Sequence, residues 1–313
     1  MMRLGAILLV SWLVPAVCAA QDLAPRAYVL VPVESNAVVV TYAFADGELL
    51  FDPTVPIEDA VGTIQTPVFS YFYTFSFFGR SSNISASVPF AIGNFSGTVL
   101  GTDRSAHRAG LADVPVRFSV NLVGGPALDV ATFVKTPQPR TTLGASIKVI
   151  APTGQYHPEF AINIGTNRWS FKPEIGYTRH AGPLTLDAYA GVWFFTSNDN
   201  YFANVPGAPP NIRTQESIGA FEFHVSYDVK PRFWISADVN YWRGGKASIN
   251  GVRNNSTLQA NSRFGVTGSV PLTRHQAVKV SYSDGVVVRI GGNYKILSMG
   301  WQYSWLGTPF KMN

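Results

Sequence analysis

The last strand-like stretch of the chain, Ser298–Trp305, reads S-M-G-W-Q-Y-S-W. Its residues alternate strictly: Met299, Trp301, Tyr303 and Trp305 share one face, and serine, glycine and glutamine share the other. In a soluble sheet, such a strand near a chain terminus would be an aggregation-prone edge. In a closed membrane barrel the same pattern is required, because one face meets lipid and the other faces the lumen. The stretch therefore indicates a transmembrane β-barrel.

The composition of the 313-residue sequence agrees with a lipid-exposed β protein. Charged residues make up only 14% of the chain, against about 25% in ordinary soluble domains, while aromatic residues reach 13%. The formal net charge of +5 is small for this length. It argues against a nucleic-acid partner, because such a protein would concentrate lysine and arginine on one face.

The N-terminus, Met1–Ala20, has the organisation of a secretory signal peptide. Arg3 precedes an apolar run that ends at Val17, and small residues follow it. The run is shorter than the ~20 residues that a membrane-spanning helix needs. Cleavage before Gln21 would remove Cys18, the one cysteine of the sequence. We therefore expect a mature protein without thiol, disulfide or cysteine-based metal site.

Beyond this leader the dominant pattern has a period of two residues, in segments long enough for tilted transmembrane strands. No run of 18 apolar residues occurs there, so any membrane crossing must be made by strands. The pattern predicts an all-β, antiparallel, up-and-down barrel of about 12 strands. The predicted strands are 37–45, 64–78, 82–92, 109–122, 142–151, 168–179, 184–196, 216–228, 232–243, 260–270, 276–283 and 293–305.

The connections between these segments alternate between long loops and short turns. Gly93–Arg108 is predicted to be a long polar loop, and Ala127–Thr141 is either a short helix or a loop. The course of residues 284–292 is left open. An even strand number with long loops at one end is the plan of bacterial outer-membrane barrels, with both termini in the periplasm.

The chain is thus divided into four regions. We predict a signal peptide at 1–20, a periplasmic or lumenal segment at 21–36, the barrel at 37–305 and a tail at 306–313. Because hydrocarbon cannot satisfy an open sheet edge, the first strand must pair with the last.

Charged residues of the predicted strands share the parity opposite to the aromatic and aliphatic side chains, so they are predicted to line the lumen. Such charges can set the selectivity of a pore, or they can simply pair across adjacent strands. The lumen-lining candidates are Arg117, Lys148, Lys172, Glu174, Asp187, Glu222, His224, Asp238, Arg263 and Lys279.

Two other groups of inward residues have alternative interpretations. His224, Ser226 and Asn240 resemble the Ser–His–Asn set of an outer-membrane phospholipase, but their parity points inward, where they would line the lumen. Trp193 and Trp242 either pack inside the barrel or stack on an aromatic solute. No histidines share metal-ligand spacing, so neither a metal nor another cofactor is expected.

Six stretches of the sequence resemble a family of exported proteins named for the meta-cleavage (MetA) pathway of phenol degradation. The resemblance implies an outer-membrane barrel that admits aromatic or hydrophobic compounds, and it supplies no catalytic residues. The matching stretches are Gln21–Tyr28, Phe75–Arg80, Lys148–Tyr156, Asn167–Tyr177, Ser226–Arg232 and Trp301–Gly307.

The end of the chain also resembles the C-terminal sorting signal of outer-membrane barrels, carried here by Ser298, Gly300, Tyr303 and Trp305. That resemblance implies recognition by the barrel assembly machinery. Here eight residues follow the signal, and the usual terminal phenylalanine is absent.

The sequence therefore predicts a bacterial outer-membrane channel for passive uptake of small molecules, with outer-membrane lipid, the assembly machinery and a small solute as partners. The first alternative is a non-conducting barrel whose long loops bind other molecules. It would be favoured by a lumen blocked by Gln21–Asn36 or by Gly93–Arg108. The second alternative, a lipid-modifying enzyme, would require the His–Ser–Asn set to meet at an accessible surface.

Overall fold

The computed structural model describes residues 23–51, 57–203, 209–307 and 309. The predicted signal peptide, 1–20, and most of the predicted tail lie outside these residues. Within them, no helix is long and apolar enough to cross a membrane. The strands are β1 (Ser35–Leu50), β2 (Ile57–Phe77), β3 (Arg80–Val99), β4 (Thr102–Leu111), β5 (Val114–Val123), β6 (Thr141–Ala151), β7 (Ser170–Ala181), β8 (Leu184–Phe195), β9 (Asn198–Tyr201), β10 (Asn211–Gln215), β11 (Ile218–Lys230), β12 (Phe233–Gly244), β13 (Ala247–Ile249), β14 (Val252–Asn254), β15 (Gln259–Pro271), β16 (Gln276–Val287) and β17 (Gly291–Leu306).

The wall of the molecule is a closed antiparallel barrel of twelve strands, as predicted. Each wall strand pairs with its neighbours in chain order, and β17 returns to pair with β1. At this seam Ala37 lies opposite Ser304, and Ala45 lies opposite Ile296. The C-terminal strand therefore closes the sheet, and no backbone edge is left open along the seam.

The fourth wall strand consists of two pieces, β4 and β5, which both pair with β3. The register changes by one residue between the pairs Ala86–Val116 and Phe90–Leu111. At the change, the backbone N–H of Ala112 donates to the carbonyl of Pro89 at 2.9 Å. Because proline has no N–H to give to the ladder, this position accommodates a β-bulge rather than regular pairing.

The prediction of a loop at Gly93–Arg108 is wrong. Strands β3 and β4 continue to pair as far as Val99 and Thr102, and Leu100 and Gly101 form the turn with φ values of 51° and 74°. This hairpin extends beyond the apolar outer surface of the barrel, into water. Its side chains therefore do not alternate between apolar and polar residues as those of lipid-facing strands do, although the backbone pairing continues. The open stretch 284–292 contains the end of β16 and the start of β17.

The two ends of the barrel differ. One end, the short-turn end, carries tight turns, such as that between β7 and β8, and a helix, α1 (Val130–Lys135), inside the ambiguous segment. The other, the long-loop end, carries the β3–β4 hairpin and a small four-stranded sheet in the order β14-β13-β10-β9. The stretch 197–215, predicted to be a loop, thus contains two strands.

Side chains sort between the two faces of the wall as their parity predicts. Large apolar residues such as Phe221, Phe223 and Val239 are exposed on the outside, whereas the serine, threonine, asparagine and charged residues of the opposite parity are mainly buried. Trp169 and Tyr241 are exposed near strand ends on the outer face, as expected for rings at the level of lipid headgroups.

Replacing Phe223 by Arg should impair folding in lipid, because Phe223 lies near the middle of β11 with 49% of its surface exposed on the apolar face. A cation at mid-bilayer costs about 2–4 kcal/mol. The fraction folded in vesicles, read from heat-modifiable gel migration, should fall. Val252→Arg is the matched control, since Val252 is exposed in the small sheet outside the barrel wall. Equal losses in both variants would contradict the assignment of the lipid-facing surface.

Candidate functional site

A cavity of about 1740 Å³ occupies the barrel interior. Its lining includes Arg274 and His275 at the short-turn end and Gln215 and Gly245 at the long-loop end, so it extends between the two ends. None of residues 93–111, from the β3–β4 hairpin, contributes to it. The barrel thus encloses a long cavity rather than a filled core, and this cavity is called the passage below.

The segment before the first strand lies inside the barrel and forms part of the cavity lining from Leu23 to Val31. The backbone N–H of Arg26 donates to Asp187 at 3.0 Å, and that of Ala27 donates to the Tyr189 hydroxyl at 3.0 Å. The Arg26 guanidinium pairs with Asp228 at 2.8 Å. These contacts hold the segment against the wall formed by β8 and β11.

Tyr28 anchors this segment most deeply. Its hydroxyl bonds to Ser146 at 2.9 Å and donates to Glu174 at 3.0 Å. Its ring lies over Gly144 and Gly176, where an added methyl group would come within 2.2 Å and 2.0 Å of ring carbons. Neighbouring strands β6 and β7 therefore each have a glycine where any larger side chain would overlap the Tyr28 ring.

Three of the four predicted acidic residues, Glu174, Glu222 and Asp238, form one buried ionic network with basic neighbours. The ammonium of Lys172 contacts Glu174 at 2.6 Å and Glu222 at 2.9 Å. His224 contacts Asp238 through Nδ1 at 2.8 Å and Glu222 through Nε2 at 3.5 Å. Pairing of this kind limits the cost of enclosing charges in a low-dielectric interior.

Two further predicted residues, Asp187 and Arg263, are also fully buried and bonded. Asp187 accepts from Thr178 at 2.6 Å in addition to the Arg26 backbone. Arg263 donates to Ser283 at 3.1 Å and to the carbonyl of Tyr294 at 2.8 Å. Neither contributes to the cavity surface, so both belong to the wall rather than to the passage.

The other predicted candidates, Arg117, Lys148 and Lys279, line the cavity. Arg117 lies over the Tyr28 ring at 4.9 Å and within 3.7 Å of Glu174. Lys279 is exposed and lines the cavity.

The charges that line the cavity are unequal in sign. Nine lysine or arginine residues line it, against four aspartate or glutamate residues. Asp187 and Asp238 are fully buried and absent from the lining, which increases the imbalance. The passage is therefore a basic one, although the wall contains many acids.

The His–Ser–Asn set does not have the geometry of a catalytic centre. His224, Ser226 and Asn240 are all buried inside the barrel, and both ring nitrogens of His224 face carboxylates rather than the serine. The accessible surface that a lipid-modifying enzyme would require is missing here. The described residues also contain no group of three or more His, Cys, Asp or Glu that could hold a metal ion.

Trp193 and Trp242 pack together with Ile218 and Ala220 in a buried cluster near the long-loop end. Both rings nevertheless form part of the cavity lining. The Nε1–H of Trp242 donates to Gln259 at 3.0 Å. Because 0% of Trp193 and 1% of Trp242 is exposed, the structure favours packing of both rings inside the barrel.

Two arginines of the cavity lining, Arg168 and Arg213, were not among the predicted site residues. Arg168 shares the parity of Lys172 and Glu174, which is a signal that could have revealed it. Arg213 lies in β10, within a stretch predicted to be a loop, so no periodicity marked its direction.

The predicted assembly signal lies on the closing strand. The Ser298 hydroxyl is 2.6 Å from that of Ser281, and Gly300 lies opposite Thr41 across the seam. The rings of Tyr303 and Trp305 are neighbours, with centroids 5.9 Å apart and planes tilted by 32°. The signal residues are therefore part of the sheet that closes the barrel.

The chain belongs to the family described as "Putative MetA-pathway of phenol degradation", whose model matches residues 51–308. The resemblance seen in the sequence is thereby confirmed. No curated protein matches the chain.

Among solved structures, the chain is similar to the COG4313 outer membrane channel from Pseudomonas putida F1, with a TM-score of 0.72 and 18% identity over 91% of this chain and 100% of that one. The β domain of the Bordetella autotransporter BrkA gives a TM-score of 0.48 and 10% identity over 86% and 99%. The first similarity shows that the fold is that of an outer-membrane β-barrel.

Replacing Gly176 by Ala should displace the N-terminal segment, because the new methyl group would overlap the Tyr28 ring. We expect a larger single-channel conductance than in the wild type and faster proteolysis of the segment. Gly219→Ala is the matched control, since the atoms nearest to its added methyl group lie 3.8 Å away. Identical behaviour of the two variants would show that the segment is not held by Tyr28.

Proposed function

We propose that this protein is an outer-membrane channel for the passive uptake of small molecules. The observation that carries the proposal is the continuous cavity of about 1740 Å³ between the two ends of the barrel. A barrel of twelve strands is intermediate between small barrels filled by side chains and large porins with open channels. The N-terminal segment narrows the bore further, which favours small solutes.

The proposed setting is the bacterial outer membrane, reached after removal of the signal peptide. The apolar outer face contacts lipid, and the short-turn end, which also carries both ends of the barrel sheet, faces the periplasm. The Pseudomonas putida protein of the same fold is described as an outer membrane channel, in line with this proposal. The family's name suggests aromatic compounds among the solutes.

The second candidate function is a non-conducting barrel whose long loops bind other molecules. It is favoured by the N-terminal segment, which occupies the lumen from Leu23 to Val31, and by the small sheet at the long-loop end. The remaining cavity beside that segment makes the channel the better-supported proposal.

We also propose that the terminal strand is recognised by the barrel assembly machinery. Replacing both Tyr303 and Trp305 by Ser should slow membrane assembly in cells, while purified protein refolds in detergent at an unchanged rate. Met299→Ser, on the same lipid-facing side of the strand, is the matched control. Loss of refolding in detergent, or equal assembly of variant and control, would contradict recognition of these two rings.

The channel should give discrete conductance steps in planar bilayers, because the cavity connects the two ends. In a KCl gradient the reversal potential should lie closer to the equilibrium potential of chloride than to that of potassium, since basic residues dominate the lining. A correctly folded but silent barrel would overturn the channel and favour the non-conducting alternative.

Replacing Lys279 by Glu changes the charge at an exposed position of the lumen. The reversal potential should shift toward that of potassium. Lys230→Glu, at an exposed strand end outside the cavity lining, is the matched control and should leave the reversal potential in place. An equal shift in both variants would show that ions do not pass beside Lys279.

A further inference from the structure

Two buried arginines, Arg168 and Arg213, lie at the long-loop end of the cavity and line it. We propose that they form a binding site for the carboxylate of a small aromatic acid at the entrance of the passage. The inference rests on the proposed channel and deepens it, because it names the class of solute that is captured.

Arg168 retains donors that no protein group uses. Only 4% of the residue is exposed. Its Nη2 donates to Gln215 at 2.6 Å, while its Nε and Nη1 have no hydrogen-bond partner in the described part of the chain. A buried donor left without a partner is costly, and a carboxylate can accept from two guanidinium N–H groups at once.

Arg213 adds a second cation without a counter-charge. It is 7% exposed, and within the described ranges neither arginine forms a salt bridge. Gln215, which accepts from Arg168, lies two residues from Arg213 on the same face of β10, so the two guanidinium groups are neighbours. In line with this geometry, burial and the charge of Arg213 lower the pKa of Arg168. An anion between them would relieve both the repulsion and the desolvation.

The nearest acid does not supply that anion. Asp113 is the carboxylate whose charge acts most on Arg168, but its oxygens accept from Gly154 N–H at 2.9 Å and from the Thr166 N–H and hydroxyl at 2.8 Å and 2.6 Å. These bonds hold the loop that precedes β7. Asp113 is therefore engaged in positioning the loop rather than in pairing with the arginines.

The surroundings of the two cations are aromatic. The Arg168 guanidinium lies over Phe195 at 4.3 Å, and that of Arg213 lies over Tyr201 at 5.5 Å. Trp193, whose buried Nε1–H has no partner among the described residues, lines the same cavity. Guanidinium groups placed over rings keep their N–H edges available to an acceptor. Phe195, which is partly exposed and lines the cavity, offers a ring for stacking to an aromatic ligand.

The site therefore combines guanidinium donors for a carboxylate with aromatic side chains that can pack against a ring. Neither part alone would select an aromatic acid, because the arginines would accept any small anion and the rings would accept any aromatic compound. Benzoate carries both features, whereas benzamide has the same shape without the charge. This pair separates the electrostatic contribution from the contribution of stacking.

The test is isothermal titration calorimetry of the purified full-length barrel in detergent, with sodium benzoate and with benzamide as ligands. Benzoate should bind saturably, and benzamide should bind at least about tenfold more weakly, which corresponds to one decade in Kd. Arg168→Gln and Arg213→Gln should each weaken benzoate binding about tenfold without changing benzamide binding. Arg253→Gln, an exposed arginine of the small sheet paired with Glu216, is the matched control and should bind benzoate like the wild type.

Heat-modifiable gel migration confirms that each variant is folded before titration, and the two arginine variants serve as independent tests. Equal binding of benzoate and benzamide, or benzoate binding unchanged in both arginine variants, would overturn the proposed site.

Calorimetry also separates this inference from the channel itself. Benzoate binding to a barrel that conducts no ions would refute the channel and retain the site. Conductance without benzoate binding would retain the channel and refute the site.

Discussion

The structure depends on the requirement that every backbone N–H and C=O group inside the hydrocarbon layer has a partner within the sheet. Strand β17 meets this requirement by pairing with β1 along its whole length, from Ser35–Leu306 to Leu50–Gly291. Once the sheet is closed, each wall residue faces either lipid or lumen. The apolar outer surface and the polar interior both follow from that single closure.

The residues that line the cavity of this closed barrel are not balanced in charge. The acids of β7, β11 and β12 are enclosed in a network with Lys172 and His224, and the N-terminal segment lies across part of the same wall. The segment uses Asp187 and Glu174 as its own hydrogen-bond acceptors. What remains facing the cavity is mostly basic, and the proposed preference for anions rests on this lining.

The sequence predicted the closed barrel and the inward parity because both depend on a local, repeated pattern of side chains. The prediction of strands failed where the alternation of side chains is lost while the backbone pairing continues. The polar half of the β3–β4 hairpin lies beyond the apolar band, so nothing in its side chains marks it as a strand. The bulge at Ala112 is similarly invisible, since it depends on Pro89 of the neighbouring strand.

The residues of the candidate site likewise fall into those that a local pattern predicts and those that it does not. Lys172, Glu222 and Lys279 lie on regular strands, where parity alone gives their direction. The partners of Tyr28, by contrast, are more than a hundred residues away in sequence, and no local signal indicates such contacts. Arg213 was missed because the small sheet that directs it toward the cavity is built from short strands within long loops.

Closure of the sheet can be tested directly by a disulfide across the seam. Val39 lies opposite Gln302, at a separation that cysteines on neighbouring antiparallel strands can bridge. Val39→Cys with Gln302→Cys should cross-link on oxidation in membranes and retain the single-channel conductance, because the proposed channel conducts through the closed lumen. Val39→Cys with Ser298→Cys, four residues out of register, should remain reduced. Equal cross-linking of the two pairs, or loss of conductance on cross-linking of the matched pair, would contradict a channel enclosed by the β1–β17 seam.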